Sequence, residues 1–141
     1  MIADNKHMTS IVENIKTRGK DLSVLEGMDR IQYLVDLAKE VKPLADKHKT
    51  EENRIRGCAS NLWVIGDANG SNKMYYQFDA EAFITKGTAR LVIELVEQQP
   101  KDEIAKLVPQ DFYALGIREI LSPQRQNGLG NLIARIVGLA Q

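Results

Sequence analysis

The chain has 141 residues, of which 43% are hydrophobic and 27% charged, as in an ordinary globular protein with one core. Nineteen basic and nineteen acidic residues cancel, so no charged field attracts nucleic acid or an anionic membrane. No apolar run approaches the roughly 18 residues of a membrane span, and the first residues lack the apolar core of a secretory signal. We therefore expect a cytoplasmic protein with a single domain, residues 1–141, and neither nucleic acid nor membrane as a partner.

The first third of the chain predicts two helices. Thr9 or Ser10 can cap a short first helix that ends near Gly19. A second helix is predicted over residues 27–40, because apolar residues recur there at the spacing of a half-buried helix. These residues are Ile31, Leu34, Val35 and Ala38. The polar residues 46–52 predict an exposed loop.

The middle of the chain predicts a three-stranded antiparallel meander. Residues 53–56, 61–66 and 73–79 have strand character, the last through alternation of apolar and polar side chains. Asn69 and Gly70 predict a tight two-residue hairpin turn, because both residues tolerate a positive φ. Such a sheet buries only one face, so helices must cover it.

Those helices are predicted in the last part of the chain. A long helix is expected over residues 81–98, where Gly87 allows close packing. Two prolines can each begin a short helix, Pro100 and Pro109. Ser122 followed by Pro123 predicts the start of a final helix. The sequence therefore predicts an α+β fold, a small three-stranded antiparallel sheet covered by helices.

Cys58 is the single cysteine, and it lies in the predicted turn between the first two strands. One thiol cannot close a disulfide within the chain, and it is too few for an iron–sulfur cluster or a structural zinc. Gly57 lets the backbone turn there, and Arg54 and Arg56 are either cations near the thiolate or solvated charges. A buried, inert cysteine is the plain alternative.

The reactions open to such a thiol are few. Peptidase-type catalysis needs a histidine base, but His7 and His48 lie in a terminus and in a polar loop. A dithiol oxidoreductase needs a second cysteine. Transfer of a single sulfur atom needs neither, because a thiolate can take the outer sulfur of a partner's persulfide. A thiol redox sensor also stays open.

Three separated motifs surround this cysteine. Glu52-Asn53-Arg54-Ile55 leads into Gly57-Cys58-x-Ser60-x-x-Trp63, Asp79 and Lys86-Gly87 follow, and Ser122-x-x-Arg125-x-x-Gly128-Leu129 comes last. Together, over roughly residues 31–136, they resemble the SufE family, the sulfur acceptors of iron–sulfur cluster assembly. The chain departs from the pattern at Ala59, where glutamine is common, and at Leu62, where valine is common.

The resemblance implies a fold shared with the U-type, IscU-like iron–sulfur scaffolds. It implies that Cys58 accepts persulfide sulfur from a pyridoxal-phosphate cysteine desulfurase (SufS-like), stimulates that enzyme, and passes sulfur to a cluster scaffold (SufBCD-like). The pyridoxal phosphate belongs to the partner, so no bound cofactor or metal is expected here. A homodimer is left open.

The resemblance also suggests supporting residues for Cys58, each with a plainer reading. Arg125 stabilises the thiolate or persulfide, or latches the loop; otherwise it is a solvated charge. Asp79 supports the Cys58 loop, caps the following helix, or does both. Ser60 hydrogen-bonds the sulfur or, more simply, forms the turn. Two further side chains are expected in structural roles, Trp63 in the core and Lys86 as a surface charge.

Two other functions are compatible with the same residues. The protein could activate a desulfurase allosterically, with Cys58 dispensable, or it could hold a cluster with ligands from a second subunit. A cluster scaffold is disfavoured by the single thiol.

Overall fold

The computed structural model describes residues 10–58 and 60–141, and it has the expected α+β class. Its helices and strands are α1 (Ser10–Ser23), α2 (Gly27–Lys39), β1 (Leu62–Asp67), β2 (Tyr75–Ala80), α3 (Phe83–Val96), α4 (Lys101–Ala105) and α5 (Pro123–Leu139). Short 3₁₀ helices cover Asp46–His48, Pro109–Leu115 and Arg118–Ile120. None of the helices described combines the length and the apolarity that crossing a bilayer requires. The predicted cap Thr9 lies outside the described residues.

Helix α1 does not end near Gly19, as the sequence predicted, but continues to Ser23. Gly19 is buried against the 3₁₀ helix Pro109–Leu115, and a Cβ atom on it would lie 1.8 Å from the carbonyl oxygen of Ala114. The glycine therefore permits a close approach of two backbones instead of ending the helix.

The sheet has two strands among the described residues, so the prediction of three is wrong. Strands β1 and β2 are antiparallel, with Leu62 opposite Ala80 and Asp67 opposite Tyr75. The expected first strand reaches β1 at one isolated bridge, between Arg54 and Trp63. It is too short for a ladder, because one turn ends at Arg54 and Gly57 bends the chain away with a φ of 79°.

The connection between the strands contains the predicted turn but is longer than predicted. Asn69 and Gly70 have positive φ values of 50° and 74°. The loop nevertheless spans residues 68–74, because Met74 is buried and forms backbone hydrogen bonds with residues 98 and 99. These bonds draw the chain away from β1 before β2 begins.

Helices α2, α3 and α5 build the core around the inner face of the sheet. Leu34 and Ala38 of the predicted α2 stripe are buried, and Leu37 joins them. Gly87 in α3 lies against α2, where a Cβ atom would be 1.8 Å from the carbonyl oxygen of Leu34. The hydroxyl of Tyr76 donates to the carbonyl oxygen of Ile136 over 3.0 Å, which joins β2 to α5.

We expect Gly87→Ala to lower the free energy of unfolding by at least ~1–3 kcal/mol, because the new methyl group meets backbone atoms of α2 that cannot turn aside. Urea unfolding monitored by circular dichroism measures this loss.

Gly130→Ala in α5 is the matched control, since nothing lies within 4 Å of the position that its Cβ atom would take. That variant should gain ~0.5–1 kcal/mol from its higher helix propensity. Equal effects of the two substitutions would contradict the close packing of α2 on α3.

Candidate functional site

Cys58 is half-buried at the end of the segment that approaches β1, beside the first turns of α5. Ala59, which follows it, lies outside the described residues. The thiol borders a small cavity of about 20 Å³. The walls come from β1, α3, the segment before α5, and α5 itself: Leu62, Thr85, Thr88, Leu121, Arg125, Gly128, Leu129 and Leu132. A space of this size holds about one water-sized atom.

Gly128 is the point of closest approach between α5 and the cysteine. A Cβ atom at this position would lie 2.7 Å from the sulfur of Cys58 and 3.4 Å from its Cα atom. Any other residue at position 128 would therefore displace the cysteine. This contact gives a physical reason for the glycine in the Ser-x-x-Arg-x-x-Gly-Leu motif.

Helix α5 also holds the backbone that precedes Cys58. The Asn131 amide donates to the carbonyl oxygen of Arg56 over 2.7 Å, and the Arg135 guanidinium donates to those of Glu52 and Arg54 over 3.3 Å each. Sequence analysis missed both side chains. Their spacing of four residues on one side of the predicted last helix was the available signal.

Gly57 fits this arrangement for a second reason besides its positive φ. A Cβ atom there would lie 2.6 Å from Nδ2 of Asn131 and 2.9 Å from Nδ2 of Asn127. A side chain at position 57 would therefore collide with α5, so the turn and the helix contact require the same glycine.

Two opposing effects act on the thiol of Cys58. Burial raises its pKa, and the positive charge of Arg54 opposes that rise without cancelling it. Arg54 itself is held by two hydrogen bonds to Glu51, of 3.0 and 2.6 Å. Arg56, two residues before the cysteine, is exposed. At rest the sulfur is therefore shielded and mainly protonated at neutral pH.

Arg125 lines the same cavity as Cys58. Its backbone N–H donates to the hydroxyl of Ser122, which caps α5 as predicted. Its Nε is buried, and no described residue accepts a hydrogen bond from it. A cationic donor without a partner at the wall of this cavity is suited to an anionic sulfur.

Neither Ser60 nor Trp63 lines the cavity beside Cys58. The Ser60 hydroxyl is 3.5 Å from that of Thr85 in α3, and it does not reach the cysteine sulfur. Trp63 is buried as expected, but on the outer face of the sheet. The ammonium group of Lys49 lies 5.4 Å from the centre of its ring.

Asp79 is buried in β2, where its carboxylate accepts backbone N–H bonds from Leu44 at 3.0 Å and Ala80 at 2.8 Å. It also pairs with Lys86 at 3.1 Å and Lys49 at 3.4 Å. Among the residues described, no N–H of the Cys58 loop donates to it. The carboxylate instead fixes the segment that leads toward that loop.

Two expectations around Asp79 are wrong. Helix α3 has Ala82 at its N-cap without a side-chain cap, so Asp79 does not cap it. Lys86 is not a free surface charge, because it is mostly buried against the carboxylate of Asp79. A buried carboxylate in β2 needs a cation, and the turn into α3 brings Lys86 to it.

The histidines do not complete a catalytic site. His48 does not line the cavity beside Cys58, and His7 lies outside the described residues. Within the part of the chain that the structure describes, no three histidine, cysteine, aspartate or glutamate side chains form a group that could hold a metal ion.

We expect Gly128→Ala to expose Cys58, because its methyl group would lie 2.7 Å from the sulfur. An overpacking cost of ~1 kcal/mol borne by the closed loop favours the open loop about fivefold. The rate at which a small disulfide reagent modifies the Cys58 thiol should therefore rise at least about fivefold. Gly130→Ala, two residues along the same helix, should react like the unmodified chain. An unchanged rate in Gly128→Ala would contradict the contact.

We expect Asp79→Asn to remove part of the acid dependence of stability. Burial raises the pKa of Asp79, but hydrogen bonds from Leu44, Lys86 and Ala80 outweigh it and lower the pKa below 3.8. The carboxylate therefore stabilises the fold above about pH 4, and this stabilisation is lost as the pH falls through its lowered pKa.

Urea unfolding from pH 2 to 6 should show the variant ~1.5–3 kcal/mol less stable at pH 6, with a difference that shrinks below pH 3.8. Asp21→Asn, at an exposed position in α1, is the control and should leave the profile unchanged. A constant difference at all pH values would contradict the role of the charge.

Comparison with known proteins assigns the family. The model of the SufE family, described as an Fe-S metabolism associated domain, matches residues 16–140. An uncharacterised SufE-like protein of Rhizobium etli is 34% identical over 112 residues, which cover 77% of this chain and 76% of that one. SufE-like protein 1 of Arabidopsis thaliana, chloroplastic/mitochondrial, is 33% identical over 111 residues. That match covers 79% of this chain, which spans only 30% of the Arabidopsis protein.

A solved structure has the same fold. The solution structure of a hypothetical protein from Thermus thermophilus superposes with a TM-score of 0.70 and 23% identity, covering 96% of this chain and 93% of that one. The family match extends from the middle of α1 to the end of α5 and includes the Cys58 loop and every wall of its cavity. The chain therefore belongs to the SufE family, whose domain is associated with iron–sulfur metabolism.

Proposed function

We propose that this protein is a sulfur carrier that accepts persulfide sulfur on Cys58 from a pyridoxal-phosphate cysteine desulfurase. It stimulates that enzyme and passes the sulfur to an iron–sulfur cluster scaffold. The whole chain acts as one SufE-like domain, and the pyridoxal phosphate stays on the desulfurase. Membership of a family associated with iron–sulfur metabolism supports the setting, and the surroundings of Cys58 support the reaction.

The transfer needs one nucleophile and no change in overall oxidation state. The Cys58 thiolate attacks the outer sulfur of a cysteine persulfide on the partner. A new S–S bond forms at Cys58 while the S–S bond of the partner breaks, and the partner's thiolate leaves with the bonding electron pair. Cys58 then carries a persulfide, and the same exchange in reverse delivers the outer sulfur to the next thiolate.

The observation that carries this proposal is the cavity beside Cys58, which has room for about one additional atom and is lined by Arg125, whose buried Nε has no hydrogen-bond partner among the described residues. An added sulfur fits that space, where it is shielded from reductants. A persulfide is anionic near neutral pH, so the arginine can hold it by a charge-assisted hydrogen bond. A cysteine that only filled the core would need neither the space nor the cation.

The resting state protects the thiol, and transfer requires the loop to move. Burial keeps the pKa of Cys58 raised despite the charge of Arg54, so few molecules carry a thiolate while the loop is closed. Asn131 and Arg135 hold the loop against α5 by hydrogen bonds, and the absence of a side chain at Gly128 lets the cysteine lie close to the helix. A desulfurase that draws the loop outward exposes the sulfur and lowers the pKa of Cys58. The reactive thiolate of Cys58 therefore forms only when the desulfurase is bound.

The same geometry disfavours a peroxide sensor. Sensor thiols have a low pKa and are accessible to solvent, whereas Cys58 is half-buried with a raised pKa. A purely allosteric activator would not need the cavity. The Cys58→Ser variant distinguishes such an activator from a sulfur carrier.

Intact-mass analysis tests the carrier function. After incubation with a SufS-like cysteine desulfurase and cysteine, the protein should gain the mass of one sulfur atom, which a reductant removes. Cys58→Ser should gain none and should lose the stimulation of desulfurase turnover. The double variant Cys58→Ser/Ser60→Cys is the matched control, because its thiol lies in the same loop but outside the cavity. It should accept far less sulfur.

Two results would contradict the proposal. Full stimulation of the desulfurase by Cys58→Ser would identify an allosteric activator, and absence of the added sulfur in the unmodified chain would exclude the relay.

Cytoplasmic localisation also stays a prediction, since the Arabidopsis relative is named chloroplastic/mitochondrial.

A further inference from the structure

Strand β2 pairs with β1 along one edge, and its other edge is open over part of its length. The direction of its backbone groups follows from β1. Val64 N donates to Asn53 and the Leu62 carbonyl accepts from Ile55, so both residues direct these groups away from β2. In an antiparallel ladder, two residues that face each other either both direct their N–H and C=O groups toward the other strand or both direct them away. Phe78 and Ala80, which face Val64 and Leu62, therefore direct their backbone groups away from β1.

Near the start of β2, this outer edge already forms hydrogen bonds with another segment of the same chain. Met74 is four residues before Phe78, so its backbone groups point to the same edge. Its carbonyl oxygen accepts from the Gln98 N–H over 2.7 Å, and its N–H donates to the Gln99 carbonyl oxygen over 3.1 Å. The Tyr76 N–H is then taken by the carboxylate of Glu97 at 2.8 Å. Beyond this point the pairing stops.

The middle of the edge has no partner in the described part of the chain. The N–H and C=O of Phe78 face outward, and no described residue outside the sheet bonds to either. The Ala80 N–H is satisfied by the carboxylate of its neighbour Asp79. Unpaired strand edges pair readily with another extended chain.

An open groove of about 790 Å³ runs along this edge. One wall is the connection after α2, residues 40–44, and the other is the outer side of α3 near its end, including Ile93. The floor is β2 from Tyr76 to Phe78. Its volume is in the range of ordinary ligand sites, whereas the cavity beside Cys58 is far smaller.

One carboxylate of the groove, that of Glu97, favours a cation beside it. The other two acidic side chains are paired, Glu40 with Arg90 at 3.4 Å and Glu94 with Arg90 at 3.3 Å and with Arg18 at 2.6 Å, and Lys42 is exposed at the wall. Glu97 has no ion-pair partner among the described residues, and its carboxylate accepts only the Tyr76 N–H. Burial raises the pKa of Glu97. A cation placed beside this carboxylate would restore the interactions that burial has removed.

We propose that an extended peptide segment of a partner protein, carrying a lysine or arginine opposite Glu97, adds to the free edge of β2 in this groove. Its backbone pairs with Phe78 and with the carbonyl oxygen of Tyr76, as in other cases of strand addition. The site is separate from Cys58 and requires no sulfur transfer, so it stands or falls independently of the proposed function.

A blocked six-residue peptide of alternating valine and lysine is the probe. Titrated into ¹⁵N-labelled protein, it should shift the amide signals of residues 76–80 and slow hydrogen exchange at the Phe78 amide at least ~10-fold. The same peptide with N-methyl groups on the amides that face β2 should not bind, because it cannot donate to the edge.

Glu97→Gln should weaken binding of the valine–lysine peptide about three- to fivefold, with thermal unfolding measured alongside to show that the fold is intact. Glu26→Gln, an exposed glutamate at the start of α2, is the matched control and should not change the affinity. No binding, equal binding of the N-methylated peptide, or an affinity unaffected by Glu97→Gln would overturn the proposal. A concentration-dependent dimer that protects Phe78 would also overturn it, in favour of a second copy.

Discussion

The site depends on one steric constraint, the absence of a side chain at Gly128 where α5 meets the sulfur of Cys58. This contact brings the cysteine loop against a rigid helix, and it leaves beside the sulfur a space for about one atom. Asn131 and Arg135 then fix the loop backbone from the same helix. A loop held by a few hydrogen bonds to its backbone is stable at rest but opens at modest cost.

The electrostatics of the site are consistent with a thiol that is protected until it is needed. Burial and the charge of Arg54 act in opposite directions on the pKa of Cys58, and burial prevails. The Nε of Arg125 has no hydrogen-bond partner among the described residues, and on the proposed function it binds an anionic sulfur better than the resting thiol. The buried Asp79 with Lys49 and Lys86 serves the scaffold around this site, since it ties the segment before the loop to the sheet and to α3.

Local patterns predicted most of the secondary structure. The Ser122 cap, the helical stripe around Leu34 and the positive φ values at Asn69 and Gly70 appear where the sequence placed them. Expectations failed where a residue serves a distant contact. Gly19 continues α1 because it faces Ala114, and Met74 lengthens the hairpin loop because it pairs with residues 98 and 99. Segment 53–56 did not form a third strand because turns end it on both sides.

The sequence by itself determined the α+β class, the lone thiol at position 58 and the family motifs around it, because these depend on residue type, order and short spacing. Only the tertiary structure decided that Arg125 and Gly128 meet that thiol across about 70 residues of chain, that Asn131 and Arg135 hold its loop, and that Lys86 neutralises Asp79. These contacts join segments distant in the chain, and their distances, burial and charge balance follow from packing, which no local pattern encodes.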